Sequence, residues 1–490
     1  MRAAAHRVPQ TFADSRSLAR ELVLLGLLVN FYATAMFFGR GADMAVVNVA
    51  GSSTFAGILL LSCLQQLRVQ SLAVWSALFW FRIATAVYFG FGALAPYVVN
   101  AAGWREMQAL HAFDGSDILK CNLINALATL MIMFGACGLA VAWRWAGKGG
   151  PARARPGATV SAAVVLLCVG GIARYGFVIP AGFGVGDGGV SSITVSLARA
   201  YSAGLMVLLI VGFRSYWALL MPVAILIFVE LMSGVVLFRK GDVMATLIFV
   251  VLACHFVRPT MLRLATGLAI VAVVFVGVSP LVKHGREQVI SLNGPRQIAS
   301  LDQRLTIVAD YLDGRYGWPN VAEQLQTALS RTSYVNAATM VIAWRDDGQP
   351  GNTLEHAFAA FVPRLLWSEK PVLTASGTEL YLAATGRQGT SISPGLFAEA
   401  YWNFGWLGLP LLMMPFGIIL GFLSQCSVRA MVCERWIYLP AVLMSIHIGL
   451  RVDGHYVPDV IGASFAVLLL WTAMGLAELL IARGQLRSSP

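Results

Sequence analysis

Apolar stretches close to twenty residues long recur along almost the whole of this chain, and this recurrence limits its fold more than any other feature. A hydrocarbon core about 30 Å thick is crossed by roughly twenty helical residues. Backbone N–H and C=O groups inside that core meet no water, so only helices or closed barrels cross it, and uninterrupted runs of this length belong to helices. The stretches fall near 21–39, 44–63, 72–96, 121–143, 158–181, 193–212, 217–238, 243–257, 264–281, 405–424, 437–450 and 457–480. Only 12% of residues are charged, against about 25% in soluble domains. The fold class is therefore an all-α integral membrane protein with about twelve transmembrane helices. Leu22 to Phe38 reads as a retained span, because no small-residue cleavage site precedes an evident mature domain.

Nine spans precede a polar interruption running from about Val282 to about Ile392, and three follow it. This spacing predicts an N-terminal membrane bundle (1–281), a loop or cap (282–392) and a C-terminal membrane bundle (393–490). Lys and Arg concentrate on one side of the short loops, at Arg2, Arg7, Arg68, Arg144, Arg153, Arg214, Arg258, Arg429 and Arg483 among others. The positive-inside bias then predicts both termini in the cytoplasm and the long loop outside. The net charge of +11 follows from this bias toward anionic lipid, which excludes a nucleic-acid reading. The loop itself holds ten basic and ten acidic residues, so an anion site there depends on local placement. None of the seven cysteines lies in the loop, and no Cys/His spacing suggests a disulfide framework or a metal site.

Loops between elements usually run to a handful of residues, so one of roughly a hundred suggests function. Asp302 to Leu312, Val321 to Leu329 and Arg331 to Trp344 read as helices, and Asn352 to Glu355 as the start of another. Pro363-Arg364 and Lys370-Pro371 bracket a stiff extended segment. Ser393-Pro394 reads as an N-cap with a first-turn proline. The helix it opens carries Glu399 and Asn403 one turn apart on one face, with Gly405 placed to end it. Arg82, Arg174, Arg199 and Glu230 fall inside spans, where a charge needs a partner, and a structural ion pair is the reading preferred for Glu230.

Several of these pieces together resemble the Wzy-type oligosaccharide repeat-unit polymerases of bacterial surface polysaccharides. They are Arg239-Lys240-Gly241-Asp242 between two spans, Pro363-Arg364 with Lys370-Pro371, the Gly377/Glu379 stretch, and Glu399-Ala400-Tyr401 through Asn403-Phe404-Gly405. The resemblance covers residues 230–425 best and rests on topology elsewhere. It implies a GT-C-like glycosyltransferase in the bacterial inner membrane with a large helical periplasmic loop. Such an enzyme moves a growing glycan from undecaprenyl diphosphate onto a lipid-linked repeat unit. The implied partners are undecaprenyl-diphosphate-linked oligosaccharides and membrane lipid, with room for a chain-length regulator, and no cofactor is implied.

That chemistry needs cations at the departing diphosphate and a carboxylate near the acceptor hydroxyl. Arg239 and Lys240 are the first diphosphate candidates, with interfacial snorkelling as the alternative. Arg364, Lys370 and Arg331 follow, and Arg286, Arg296, Arg304 and Arg315 are also available. Glu399 is the first candidate base, Glu379 the second and Asp453 the third. Tyr401, Trp402, Asn403 and His455 are the sugar-binding candidates. Two other functions stay open: an O-antigen ligase, which resembles the polymerase in spans and donor, and a lipid-linked oligosaccharide flippase or transporter.

Overall fold

The computed structural model describes residues 15–38, 43–104, 114–146, 156–185, 192–294, 298–315, 320–362, 367, 369–386 and 391–487. Among them the regular structure is entirely helical. Among the described residues eleven helices are long and apolar enough to cross a membrane, which makes this a multi-pass membrane protein. The expected twelfth span is a shorter apolar helix, Trp436–Leu450. Its fifteen residues reach only about 22 Å at 1.5 Å per residue. It is buried on nearly every face, so protein and not lipid surrounds it.

The chain forms two compact units, and the long loop is divided between them. The first unit contains Met1–Arg153, Thr332–Val362 and Leu366–Pro490. Its helices are α1 (Ser15–Phe38), α2 (Met44–Val69), α3 (Ala77–Thr85, continued to Ala101) and α4 (Gly115–Ala146). The second unit contains Ala154–Arg331 and Pro363–Leu365. It is built from α5 (Pro156–Ala173), α6 (Ser192–Arg214), α7 (Leu220–Val236), α8 (Lys240–Val257), α9 (Met261–Asn293), α10 (Leu301–Leu312) and most of α11 (Val321–Thr332). The chain then returns to the first unit with α12 (Val335–Asp346), α13 (Ala375–Thr385), α14 (Leu396–Phe404), α15 (Met414–Val432), α16 (Leu439–Leu450) and α17 (Ala463–Arg487).

Small residues let the spans approach closely, as membrane helices require where lipid is as apolar as leucine. In the first unit Gly417 lies against the backbone of Ile132, and Gly449 against that of Ala77. In the second, Gly170 lies against the backbone of Tyr201. Two ion pairs lie within the spans. Arg82 donates to both oxygens of Glu21 at 2.8 and 2.7 Å and to Gln66 at 2.8 Å, with the two charged side chains only 4% and 1% exposed. Arg174 meets Glu230 at 2.5 Å, and the Tyr175 hydroxyl donates to the same carboxylate at 2.7 Å. Among the described residues four π-helical turns interrupt the spans or lie at their ends: Ala86–Phe91, Arg174–Val178, Leu409–Met413 and Tyr456–Gly462.

Two boundaries differ from expectation. Helix α9 does not stop near 281 but continues to Asn293, where Gly294 at φ +83° ends it. Pro280 is accommodated inside the helix, and Ser279 donates its hydroxyl to the Phe275 carbonyl at 2.6 Å. Helix α14 is not capped by Ser393. Its N-cap is Gly395 at φ +83°; the Ser393 hydroxyl donates to the Gly454 carbonyl at 2.6 Å and accepts the Gly395 N–H, ahead of the helix. Residues 353–356 form turns that lead into a short 3-10 helix, Ala357–Phe361, and not the helix expected from Asn352 to Glu355.

Candidate functional site

In the first unit the sequence candidates converge on the start of α14. Gly395 donates its N–H to the Ser393 hydroxyl at 3.0 Å, and Leu396 donates to the Val452 carbonyl at 3.1 Å. These bonds tie the helix entry to the segment 451–455. One turn later Glu399 is only 1% exposed, and its Oε2 accepts the Tyr456 N–H at 2.8 Å. Asn403 donates to the Glu399 carbonyl and to the Thr353 hydroxyl, both at 2.8 Å. Burial pushes the Glu399 carboxyl up to about 7, with hydrogen bonds from Thr353 and Tyr456 opposing the shift and Asp459 adding to it. A carboxyl in that range can both take and return a proton near neutrality.

The segment after α16 carries a second polar network. Asp459 accepts from Arg451 at 3.1 and 3.2 Å in a bidentate pair, and from the His455 N–H at 2.9 Å. The Tyr334 hydroxyl donates to Asp453 at 3.1 Å. Burial raises the Asp453 carboxyl, while Arg451 and the Tyr334 bond pull it back. Burial lowers the His455 imidazole, which favours its neutral form, and its Nδ1 has no hydrogen-bond partner. Gly377 packs so tightly against Ser391, Ile392 and His455 that no Cβ fits there. Glu399, Asp453 and His455 thus belong to one locus. Glu379, two residues beyond Gly377 on α13, is exposed.

The aromatic candidates separate. Trp402 is 9% exposed, donates to the Gln349 carbonyl at 3.2 Å and lies across Gly351, so its ring holds the loop after α12. The Tyr401 hydroxyl donates to Asp346 at 2.8 Å; Lys120, itself paired with Asp346, stands 5.1 Å above the Tyr401 ring. Trp406 completes this group edge-on to Tyr401 at 5.1 Å and is 43% exposed. Lys370 donates to the Val362 carbonyl at 2.9 Å, which fastens its own loop. Arg364 lies outside the described residues.

The second unit gathers arginines. Arg304 on α10 is 8% exposed and donates to the Ala299 carbonyl at 3.1 Å and the Gly182 carbonyl at 3.4 Å. The Arg239 guanidinium also lies over Gly182. Arg286 on α9 donates to the Phe238 carbonyl at 3.0 Å and feels the positive charges of both Arg331 and Arg239. Burial, with Arg239 close by, pulls the Arg304 guanidinium below its usual range. Among the described residues no carboxylate pairs with Arg239, Arg286, Arg304 or Arg331. Grouped cations without counter-charges suit a multiply charged anion, because guanidinium forks match phosphate oxygens. Lys240 instead stands 4.8 Å over the Phe275 ring.

Arg286 and Arg304 stood unranked among the available loop arginines, while Asp459, Lys120, Asp346, Tyr334 and Thr353 were not singled out. A weak signal existed for Asp459, which lies four residues after His455 and eight after Arg451. None existed for Lys120 and Asp346, 226 positions apart. Comparison with protein-family models, curated proteins and solved structures finds no match.

Proposed function

We propose that this protein is a glycosyltransferase of the oligosaccharide repeat-unit polymerase kind, acting on undecaprenyl-diphosphate-linked glycans at the periplasmic face of a bacterial inner membrane. In this reading both termini are cytoplasmic. The observation that carries it is the group formed by Arg239, Arg286, Arg304 and Arg331, which lacks carboxylate partners among the described residues. A multi-pass membrane protein that gathers arginines in this way is suited to hold a lipid-borne diphosphate.

The acceptor hydroxyl oxygen attacks the anomeric carbon of the donor sugar. A new C–O glycosidic bond forms as the bond from that carbon to the phosphate oxygen breaks. Negative charge grows on the leaving diphosphate, and the guanidiniums offset it most strongly in the transition state. The hydroxyl proton passes to a carboxylate acting as general base.

The test is a gel of surface glycan and lipid-linked saccharides from cells lacking the protein, beside cells complemented with wild type or with Arg304→Ala. Single lipid-linked repeat units should accumulate and the long ladder should vanish in both the null and the variant cells. Long glycan retained on undecaprenyl diphosphate would replace this reading with a ligase. Repeat units trapped on the cytoplasmic face would replace it with a flippase.

A further inference from the structure

Helix α7 ends in a motif that normally requires glycine. The Arg239 N–H donates to the Gly234 carbonyl at 2.8 Å and the Phe238 N–H to the Val235 carbonyl at 3.0 Å. These are the paired bonds of a Schellman helix end, whose penultimate residue takes a left-handed conformation that glycine adopts without strain. Here that residue is Phe238, at φ +53°. An aromatic residue held there is backbone strain, and strain of this kind persists where the surroundings fix it for a purpose.

The surroundings of Phe238 are the arginine group. Its ring is 1% exposed and packs with Val282 and Ile307. One face of the ring lies beneath the Arg304 guanidinium, whose centre is 5.5 Å from the ring centroid. Its carbonyl accepts the Arg286 Nε–H at 3.0 Å. The next residue in the chain is Arg239. Opposite the ring stands Gly285, where any Cβ would collide with it. One residue therefore contacts two of the four arginines, by its ring and by its carbonyl, and sets the departure of a third from the helix end. Glycine would relieve the strain but remove the ring under Arg304.

We infer that Phe238 is a positioning residue for the arginine site: its strained turn and buried ring fix the directions of Arg239, Arg286 and Arg304 so that they converge on one diphosphate-class anion. The inference rests on the anion reading proposed above and extends it to a residue that carries no charge. With the ring gone from beneath it, the Arg304 guanidinium loses its fixed direction, and anion binding is expected to weaken by roughly tenfold.

The test is calorimetric titration of inorganic pyrophosphate, and separately of orthophosphate, into the full detergent-solubilised chain. Wild type should bind pyrophosphate more tightly than orthophosphate, and Arg304→Ala should lose that preference. Phe238→Leu should weaken pyrophosphate binding about tenfold and narrow the preference, while Phe238→Tyr restores both. Gly285→Ala, which displaces the ring without touching a charge, should weaken binding similarly and provides the readout if Phe238→Leu does not fold. Wild-type pyrophosphate affinity in a folded Phe238→Leu or in Gly285→Ala, with Arg304→Ala defective, would overturn the inference and leave the anion site standing. Absence of pyrophosphate binding by wild type would overturn the anion site and the inference together.

Discussion

Replacing Glu399 by Gln should change how the protein's stability depends on pH, and the size of the effect follows from the burial of this carboxyl. Its ordinary value of 4.5 is raised to about 7 in the folded chain. Between these two values the folded state holds a proton that the unfolded state has released, so stability falls as pH rises through the window. The stability provided by the neutral carboxyl is complete below 4.5 and is lost as pH climbs past about 7. A difference of about 2.5 units corresponds to about 3 kcal/mol. Glutamine keeps an oxygen for the Tyr456 N–H and cannot ionise, so Glu399→Gln should be spared this loss as pH rises. The assay is thermal unfolding of both proteins in detergent from pH 5 to pH 9. Near pH 5 the midpoints should be close. Above pH 8 the variant should melt a few degrees higher, a shift of the size expected for a large chain. Titration of Asp453 and His455 is common to both proteins and cancels in the difference. A difference curve that stays flat across the window, or slopes the other way, would refute the burial argument.

Three further outcomes are expected. Arg174→Ala strands the Glu230 carboxylate, which is 1% exposed, and should cost about 3–5 kcal/mol in unfolding experiments, whereas Arg174→Met combined with Glu230→Leu should recover most of the loss. Asp459→Asn weakens the bidentate pair with Arg451 beside His455 and should reduce glycan chain length at unchanged membrane insertion, read on the same saccharide gel. Gly395→Ala forces a side chain onto a φ of +83° with its Cβ 2.9 Å from the Phe89 ring; it should cost at least about 1–3 kcal/mol and lower the unfolding midpoint.

The spans could be read from the sequence because each is a long local pattern that lipid forces into one solution. Where a boundary depended on a distant partner, local reasoning failed. Ser393 has the chemistry of a cap, but its hydroxyl accepts the Gly395 N–H and donates to the Gly454 carbonyl, 61 positions away, while the helix begins after Gly395. Pro280 and the charges from Lys283 onward look like the end of a helix, yet α9 runs past them to Asn293. At the candidate sites the residue types were visible and their grouping was not. Glu399 could be chosen as an acidic residue at a helix start, but its burial depends on Tyr456, 57 positions on. Arg239 stood out by breaking the charge pattern of its loop, but Arg286 joins its group through a carbonyl 48 positions back. Trp402 resembled a sugar platform until Gly351 and Gln349 placed it under a loop.

The four π-helical turns affect how this chain can be altered. A π turn closes its hydrogen bond one residue later than an α turn, so each acts as a one-residue phase slip in the helix that contains it. Faces assigned by counting threes and fours do not carry across Arg174–Val178 or Tyr456–Gly462. A residue four places beyond such a turn does not share a side with its apparent counterpart before it. Deleting one residue within Tyr456–Gly462 would let the helix close as an ordinary α-helix. That repair would leave the faces beyond it in place, because the π turn had absorbed the extra residue, whereas the same deletion in an unbroken α-helix would rotate the chain beyond it by about 100°. Single-residue deletions are therefore better placed inside these turns than elsewhere in the spans.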